Sequence, residues 1–460
     1  MNISNASNVG NEEFPRKKLQ TIHYGTAGFR TRAEDLDYVL YRMGLLAVLR
    51  SKAKKGAAIG VMITASHNPE PDNGVKLIDP MGEMLQQSWE AHATSLANVS
   101  NDDLASEIKK IIDEESIDTG ITARVFIGQD TRPSSAGLAK AAVTGITALG
   151  GEVKDYGVVT TPMLHYFIAC TNTGGAYGVP TEEGYFQKLI TAFKKLRGCN
   201  SENGNYVPSI IFDGANGVGA LTMKSAMQLL GDSLKVVLCN DGNGKLNHMC
   251  GADYVKIQQC APSGIPIDAN TRCVSVDGDA DRIVYYYTDK LGKFHLLDGD
   301  RIASLIAGFI KELIEESKLN LQIGLVQTAY ANGSSTKYIT DTLKVPVVCA
   351  PTGVKHLHHE ALKYDIGVYF EANGHGTAIF SDSATKIISD AKNSSCLSEK
   401  QKEAVERLAC LMDVINQTVG DAISDLLVVE TVLHARGWSI KDWEGAYTDL
   451  PNRQLKVLVK

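Results

Sequence analysis

Short apolar runs that end in polar loops recur along the chain. Residues 58–63 run into the loop 64–69, residues 209–212 run into the loop 213–217, and the run at residues 323–327 ends in a similar loop. An apolar run of this length, bounded by turn-forming residues, is typical of a buried β-strand. A loop that then opens a helix completes the repeating unit of an α/β sheet. The pattern therefore predicts three related α/β domains, with ligands facing the loops that follow the strands.

Composition and charge are those of an ordinary soluble protein. The 460 residues are too many for a single compact core, and 44% of them are apolar and 22% charged. The formal net charge of −7 indicates no basic face for nucleic acid or anionic lipid. Nine cysteines without a C-x-x-C spacing favour reduced thiols in a cytosolic protein. Residues 1–16 lack the apolar core of a signal peptide, and no apolar run is long enough to span a bilayer.

Three aspartates form the sharpest chemical signal. Asp277, Asp279 and Asp281 follow an apolar strand at alternate positions, so in an extended loop their carboxylates point the same way. Oxygen ligands in this number suit a hard cation, Mg²⁺ or Ca²⁺. An EF-hand is excluded, because its sixth position would be Gly and is Arg282, and its twelfth would be Glu and is Thr288. The alternative is an acidic surface turn, although three such carboxylates repel one another unless positive charge neutralises them.

The loop at residues 64–69 reads Thr-Ala-Ser-His-Asn-Pro and contains a candidate reactive serine, Ser66. Alone it is a strand-to-helix turn made of turn-forming residues. The neighbouring Asn-Gly-Val-Lys at residues 73–76 and the absence of a G-x-S-x-G elbow argue against a hydrolase serine. A serine whose phosphate helps to hold a metal needs carboxylate partners, which the three aspartates supply.

Four further loops are weaker signals. Residues 25–30 form a glycine-bearing loop that ends in Arg30, which suits a phosphate, although a plain tight turn is equally compatible. Residues 351–355 and 371–376 each follow an apolar strand, and the second places a carboxylate, an amide and an imidazole among glycines. Such groups suit sugar hydroxyls, with ordinary turns as the alternative. Residues 130–135 are interpreted as mainly structural, a helix start with serine caps.

In this order, the motifs resemble those of the α-D-phosphohexomutase superfamily. The sequences of residues 64–69, 277–282 and 371–376 resemble in particular those of the branch that acts on acetylglucosamine phosphates. Mutases for glucose and mannose phosphates usually carry a Glu followed by Ser-Gly-His in the third loop, whereas this chain has Ala-Asn-Gly-His at residues 372–375. The resemblance runs from about residue 22 to residue 460.

The resemblance implies a mutase that interconverts N-acetylglucosamine 6-phosphate and N-acetylglucosamine 1-phosphate for UDP-N-acetylglucosamine synthesis. A phosphorylated Ser66 and a 1,6-bisphosphate, which also acts as activator, would carry the reaction. One Mg²⁺ would be held by the Ser66 phosphate with Asp277, Asp279 and Asp281. The partner would be a small sugar phosphate, with no obligate protein partner evident. The other implied site residues are catalytic Arg30, His67, Lys76 and Arg282, with His67 or Lys76 as general acid or base, and substrate-binding Gly353, Glu371, Ala372 and Asn373.

The resemblance also implies a domain division. We expect an α/β fold of three consecutive related domains, with mixed sheets around a central active-site cleft and a fourth domain only begun. The expected boundaries are a flexible tail at 1–20, domains at 21–172 (phosphoserine loop), 173–297 (metal loop) and 298–440 (sugar loop), and the start of a phosphate-binding domain at 441–460, with a strand at 454–460.

The family's fourth domain normally carries an R-P-S-G-T-E loop that clamps the non-reacting phosphate. The 460 residues contain no such loop, and Arg-Pro-Ser-Ser at 132–135 lies in the first domain and is no substitute. Because the clamp orients the substrate, we expect a truncated enzyme with strongly reduced activity. The alternatives are a form that binds sugar phosphate without turnover, a mutase for another hexose phosphate, and a phosphatase.

Overall fold

A computed structural model describes residues 1–17, 20–26, 28–198, 200, 202–266 and 268–451. The strand predicted at residues 454–460 lies outside this part of the chain. Of the helices that the structure describes, none combines the length and the apolarity needed to cross a membrane.

The strands fall into three sheets. Their bounds are β1 Phe29–Arg32, β2 Ala58–Ile63, β3 Asp72–Ile78, β4 Arg124–Gln129, β5 Glu152–Val158, β6 Ser209–Asp213, β7 Lys235–Cys239, β8 Cys273–Val276, β9 Ile283–Thr288, β10 Phe294–Leu297, β11 Ile323–Thr328, β12 Val347–Ala350, β13 Ile366–Phe370 and β14 Gly376–Phe380.

Helices pack between and around these sheets. Their bounds are α1 Ile3–Glu13, α2 Asp37–Ala53, α3 Gln87–Asn98, α4 Leu104–Glu114, α5 Ser135–Ala148, α6 Thr161–Asn172, α7 Glu182–Arg197, α8 Val218–Leu230, α9 Ala252–Gln258, α10 Gly299–Ser317, α11 Gly333–Lys337, α12 Val354–Ala361, α13 Asp382–Lys392, α14 Glu399–Val414, α15 Ala422–Arg436 and α16 Ile440–Glu444.

The three sheets share one plan. Their strand orders are β1-β3-β2-β4-β5, β10-β9-β8-β6-β7 and β14-β13-β11-β12. In each sheet an antiparallel hairpin (β2/β3, β8/β9 or β13/β14) lies beside two strands that run parallel to its inner strand. The predicted α/β class with mixed sheets is confirmed. The domain boundaries at 21–172, 173–297 and 298–440 remain a prediction.

The three predicted strands form β2, β6 and β11. A helix follows β6 and β11 as predicted, but the helix predicted after β2 is wrong, because β2 turns into the antiparallel strand β3. The reason lies in residues 75 to 78, where Val75, Leu77 and Ile78 are buried and pair with β2 as a strand. The loop that carries Ser66 is therefore a hairpin connection.

The amino terminus differs from the predicted flexible tail at residues 1–20. Residues 3–13 form α1, which packs against α2, α4 and α5. The ring of Phe14 stacks on Tyr41 at 5.0 Å between centroids, and the Tyr41 hydroxyl donates to the Ala6 carbonyl at 2.6 Å. Gly10 leaves the room that the Tyr41 ring occupies. Although the segment is polar in composition, its small residues Ala6, Ser7 and Gly10 lie on one face of α1 and are buried.

Helix α15 is buried on nearly all sides and packs on β9 of the second sheet and on helices α7, α10 and α14. Its Glu430 accepts two hydrogen bonds from Arg272, which precedes β8, at 2.8 and 2.7 Å. The Tyr206 hydroxyl also donates to Glu430, at 2.7 Å. Arg272 and Glu430 are both buried and have lost their hydration, so each charge is stabilised mainly by the other.

We expect Glu430→Ala to lower the free energy of unfolding by about 3–5 kcal/mol, because it leaves the Arg272 guanidinium buried without its counter-charge. The measurement is the shift of the urea midpoint of the full chain. Glu399→Ala is the matched control, because Glu399 is exposed and pairs with Lys402 on the surface of α14. A midpoint for Glu430→Ala equal to that of the control would contradict the expectation.

Candidate active site

Ser66 lies at the turn between β2 and β3, with its side chain completely buried. Its Oγ donates to Asp277 Oδ2 at 2.7 Å and lies 3.3 Å from Asp281 Oδ1. Its backbone has a φ of +52°, in the left-handed region that a residue with a side chain seldom adopts. A strained turn of this kind persists only where its surroundings fix it.

Two side chains hold this turn in place. The carbonyl of Ser66 accepts hydrogen bonds from Arg132 at 3.1 Å and from Asn247 Nδ2 at 2.8 Å. The same two donors reach the carbonyl of Asn68, at 2.7 and 3.1 Å. Arg132 follows β4 and is also paired with Asp130. Residues 130–135 were interpreted as mainly structural, and the structure adds that Arg132 shapes the reactive turn.

The three aspartates converge as predicted, with carboxylate oxygens that all lie within 4.8 Å of one another. Convergence arises from a tight turn, in which the Ala280 N–H donates to the Asp277 carbonyl at 3.1 Å and Ala280 has a φ of +58°. The extended loop assumed from the sequence is therefore wrong in its local geometry. All three side chains are buried, so the alternative of an acidic surface turn is wrong as well.

Apart from the reactive Ser66 hydroxyl, protein donors occupy one oxygen of each carboxylate. Asp277 Oδ1 accepts from the Asp281 N–H at 3.1 Å, and Lys76 donates to Asp279 Oδ2 and to Asp281 Oδ2, both at 3.0 Å. The other oxygens of Asp277 and Asp281 face Ser66 Oγ. The remaining oxygen, Asp279 Oδ1, is buried without a hydrogen-bond partner among the described residues. One oxygen of each aspartate is thus left for another ligand.

The charges of the cluster fit a divalent cation. Burial raises the pKa of Asp277 well above its ordinary value, and the carboxylates of Asp281 and Asp279 raise it further. Burial also raises the pKa of Asp281, but Lys76 and His375 outweigh that effect and hold this pKa well below its ordinary value. Protein cations therefore balance the charge at Asp281 and leave it unbalanced at Asp277. Three oxygen donors with unbalanced negative charge are the donor set that Mg²⁺ takes.

Positive side chains surround the cluster. Arg282 Nε lies 3.8 Å from Asp277 Oδ2 and 3.9 Å from Asp281 Oδ1. Arg30, His67 and Arg282 line the cleft beside Ser66. Burial and the charges of Arg282 and Arg30 lower the pKa of His67 to about 2, so its imidazole is neutral. His67 Nδ1 is buried without a partner among the described residues. The structure thus brings together all the predicted catalytic residues.

The predicted sugar loop faces the same cleft. Glu371 Oε1 accepts from the Gly353 N–H at 3.2 Å, and Asn373 Nδ2 donates to Glu371 Oε2 at 3.3 Å. Gly353, Glu371 and Asn373 line the cleft. The prediction for Ala372 is not supported by its position, because its side chain is buried and its carbonyl accepts from the Gly299 N–H at 3.4 Å. Ala372 lies in a turn that the Gly374 N–H closes by donating to the Glu371 carbonyl at 2.9 Å.

Two glycines let the loops of different sheets approach each other. A Cβ on Gly278 would lie 2.6 Å from the Ser66 carbonyl oxygen, and a Cβ on Gly374 would lie 1.8 Å from the Ile283 carbonyl oxygen. Between these contacts, His375 Nδ1 donates to the Asp281 carbonyl at 2.7 Å. The serine, metal and sugar loops are therefore packed backbone to backbone.

The cleft has a volume of about 390 Å³. Several of its side chains lie outside the motifs, and sequence reasoning did not find them: Tyr24, Thr161, His165 and Tyr330. Lys355, the last residue of the predicted loop 351–355, also lines the cleft and pairs with Glu90 of α3. Thr161 is the first residue of α6, a strand-to-helix position of the kind that signalled the other loops.

Family comparisons cover most of the chain. Residues 298–438 match the family described as phosphoacetylglucosamine mutase AMG1, domain III, and residues 175–284 match its domain II. Residues 33–103 and 93–179 match phosphoglucomutase/phosphomannomutase, alpha/beta/alpha domain I.

Curated relatives agree with these matches. The phosphoacetylglucosamine mutase of Homo sapiens is 55% identical over 439 residues, which are 95% of this chain and 80% of the human protein. That of Saccharomyces cerevisiae is 44% identical over 469 residues, which are 96% of this chain and 84% of the yeast protein.

The chain belongs to the phosphoacetylglucosamine mutase family.

Solved structures of this family superpose closely. N-acetylglucosamine-phosphate mutase in its substrate complex gives a TM-score of 0.95 at 46% identity, covering 100% of this chain and 87% of that chain. The Aspergillus fumigatus N-acetylphosphoglucosamine mutase in complex with GlcNAc-6P and magnesium gives a TM-score of 0.92 at 48% identity, covering 98% and 84%. This chain therefore has the fold of the phosphoacetylglucosamine mutases.

We expect Gly278→Ala to lower the mutase activity about 100-fold, because the new methyl group displaces the Ser66 turn from the aspartates. The measurement is kcat of the purified chain. Gly137→Ala is the matched control, since a Cβ at Gly137 on α5 meets nothing within 4 Å. Equal rates for the two variants would show that the close approach of Gly278 to Ser66 has no part in placing the serine.

Proposed function

We propose that this protein interconverts N-acetylglucosamine 6-phosphate and N-acetylglucosamine 1-phosphate through a phosphorylated Ser66. The observation that carries the proposal is the 2.7 Å contact between Ser66 Oγ and Asp277 Oδ2, inside a cluster of three carboxylates beside a cleft of sugar size. The relative that binds GlcNAc-6P and magnesium supports the substrate and the metal. The Aspergillus fumigatus enzyme was also solved in complex with glucose 1,6-bisphosphate, which supports a bisphosphate intermediate.

Phosphoryl transfer would occur in two halves. The sugar 1-hydroxyl attacks the phosphorus of phosphorylated Ser66, the bond from phosphorus to Oγ breaks, and the hydroxyl proton passes to a base. The resulting 1,6-bisphosphate then reverses its orientation in the cleft, so that its 6-phosphoryl group faces Ser66. Ser66 Oγ then attacks the 6-phosphoryl group, the bond from phosphorus to the sugar O6 breaks, and a proton returns to that oxygen. Ser66 is phosphorylated again and the 1-phosphate leaves.

One Mg²⁺ would be held by Asp277, Asp279 and Asp281 together with the Ser66 phosphate. When bound there, it would supply positive charge that offsets the negative charge of the transferred group. Arg282 would add a second positive charge, because its Nε already lies within 4 Å of two of the carboxylates.

His67 is the better placed of the two candidate bases. Its imidazole lines the cleft, and its Nδ1 has no hydrogen-bond partner among the described residues. The Lys76 ammonium is engaged by Asp279 and Asp281. The negative charge of a phosphate on Ser66 would raise the low pKa that burial, Arg282 and Arg30 give His67. We therefore assign proton transfer to His67 and orientation of the aspartates to Lys76.

Glu371 and Asn373 would bind sugar hydroxyls. Their mutual hydrogen bond and the Gly353 N–H fix the Glu371 carboxylate, so that it meets the substrate in one orientation. Ala372 contributes no side chain to this surface. The product, a sugar 1-phosphate, is the form that a nucleotidyl-transfer reaction converts to UDP-N-acetylglucosamine.

We expect the purified chain to form the 1-phosphate from N-acetylglucosamine 6-phosphate, Mg²⁺ and a trace of the 1,6-bisphosphate, and Ser66→Ala to form none. The readout is a coupled assay of the 1-phosphate. Ser389→Ala is the matched control, because Ser389 is an exposed residue of α13.

Four other outcomes would contradict the proposal. Turnover by Ser66→Ala at the wild-type rate would exclude the phosphoserine. Release of inorganic phosphate in place of the isomer would identify a phosphatase. Faster turnover of glucose 6-phosphate than of the acetylated sugar would identify a mutase for another hexose. Binding of the sugar phosphate without turnover would identify a binding protein.

A further inference from the structure

We propose that Thr161 is a positioning residue that orients the metal ligand Asp279; the inference rests on the proposed function. Thr161 is the first residue of α6 and is buried, with 1% of its surface exposed. Its hydroxyl donates to Asp279 Oδ2 at 2.6 Å, and its backbone N–H donates to the Asp279 carbonyl at 3.2 Å. One residue thus holds Asp279 at both its side chain and its backbone.

The hydroxyl determines which oxygen Asp279 presents. The terminal torsion of an aspartate is soft, so its two carboxylate oxygens can exchange places or tilt out of line. Thr161 and Lys76 both donate to Oδ2, at 2.6 and 3.0 Å, and leave Oδ1 buried without a partner among the described residues. Two donors on Oδ2 therefore fix the plane of the carboxylate and leave Oδ1 for another ligand.

Thr161 supplies what Lys76 alone does not. The Lys76 ammonium is shared between Asp279 and Asp281 and lies at the end of a flexible side chain. The Thr161 hydroxyl is close to the backbone of a helix whose first turn is capped by Thr160, which accepts from the Met163 N–H at 3.2 Å. It orients the carboxylate without adding a positive charge that would compete with a cation.

The position of α6 links the two halves of the metal site. Helix α6 packs directly on β2 and β4, and β2 leads into the turn that carries Ser66. Asp279 comes from the loop after β8, in a different sheet. Through Thr161, the sheet that positions Ser66 also positions Asp279. The serine and this carboxylate are therefore held at a fixed distance from each other.

The test compares Mn²⁺ binding by the full-length wild type, Thr161→Val, Thr161→Ser and Thr431→Val. Free Mn²⁺ is measured by its electron paramagnetic resonance signal, with the phosphorylation of Ser66 matched by intact mass. Thr431→Val is the matched control, because Thr431 is buried in α15 and its hydroxyl donates to the Leu427 carbonyl at 2.8 Å. Circular dichroism confirms folding, and Thr161→Ala replaces Thr161→Val if the valine variant does not fold.

We expect Thr161→Val to weaken Mn²⁺ binding about 10- to 100-fold, the usual effect of removing a group that orients a metal ligand. Thr161→Ser retains the hydroxyl and should bind within about threefold of the wild type, as should Thr431→Val, since neither changes the donors to Asp279. Wild-type affinity in a folded Thr161→Val chain would overturn the role of Thr161 alone. A wild type that binds no Mn²⁺ would overturn both this role and the proposed metal site.

Discussion

The mutual repulsion of three buried carboxylates is the constraint around which the site is built. Asp277, Asp279 and Asp281 lie within a stretch of five residues, and one carboxylate oxygen of each lies within 4.8 Å of those of the other two. Isolated charges in such a place would favour protonation or unfolding. The protein balances them in part with Lys76 and Arg282 and with hydrogen bonds to one oxygen of each carboxylate. The remaining imbalance is what makes the cluster a site for a divalent cation.

Backbone N–H groups also hold the metal loop, residues 277–282, in place. The carbonyls of Gly278, Asp279 and Ala280 accept from the N–H groups of Val218, Thr161 and Ala422, the first residues of α8, α6 and α15. Because the N-terminus of a helix carries partial positive charge, all three contacts favour the negative loop. Helices α8 and α15 pack on the second sheet and α6 packs on the first, so helices of two sheets hold the metal loop in place.

The chemical residues could be predicted from the sequence because they lie in short, continuous motifs. Asp277, Asp279 and Asp281 are neighbours in the chain, and so are Ser66 and His67. Arg132, Thr161 and Asn247 were not predicted as site residues, because each acts through a contact with a loop far away in the sequence. Only the packing of the sheets brings those contacts together.

The errors in local structure have similar causes. The turn after β2 was predicted to open a helix, since turn-forming residues precede a helix as readily as a hairpin, and only the pairing of β2 with β3 distinguishes them. Residues 3–13 were predicted to be flexible because few of them are large and apolar. Their burial depends on small residues that fit against Tyr41, a match that composition does not reveal.

A labelled phosphoryl group tests most directly whether Ser66 carries the phosphoryl group that is transferred to the sugar. The chain is incubated with radiolabelled hexose 1,6-bisphosphate, freed of unbound label, mixed with unlabelled N-acetylglucosamine 6-phosphate and quenched at short times. The mechanism predicts that the label maps to Ser66 before mixing and leaves as sugar bisphosphate and sugar phosphate at the rate of turnover. A label that maps to another residue, stays on the protein during turnover or leaves as inorganic phosphate would contradict it.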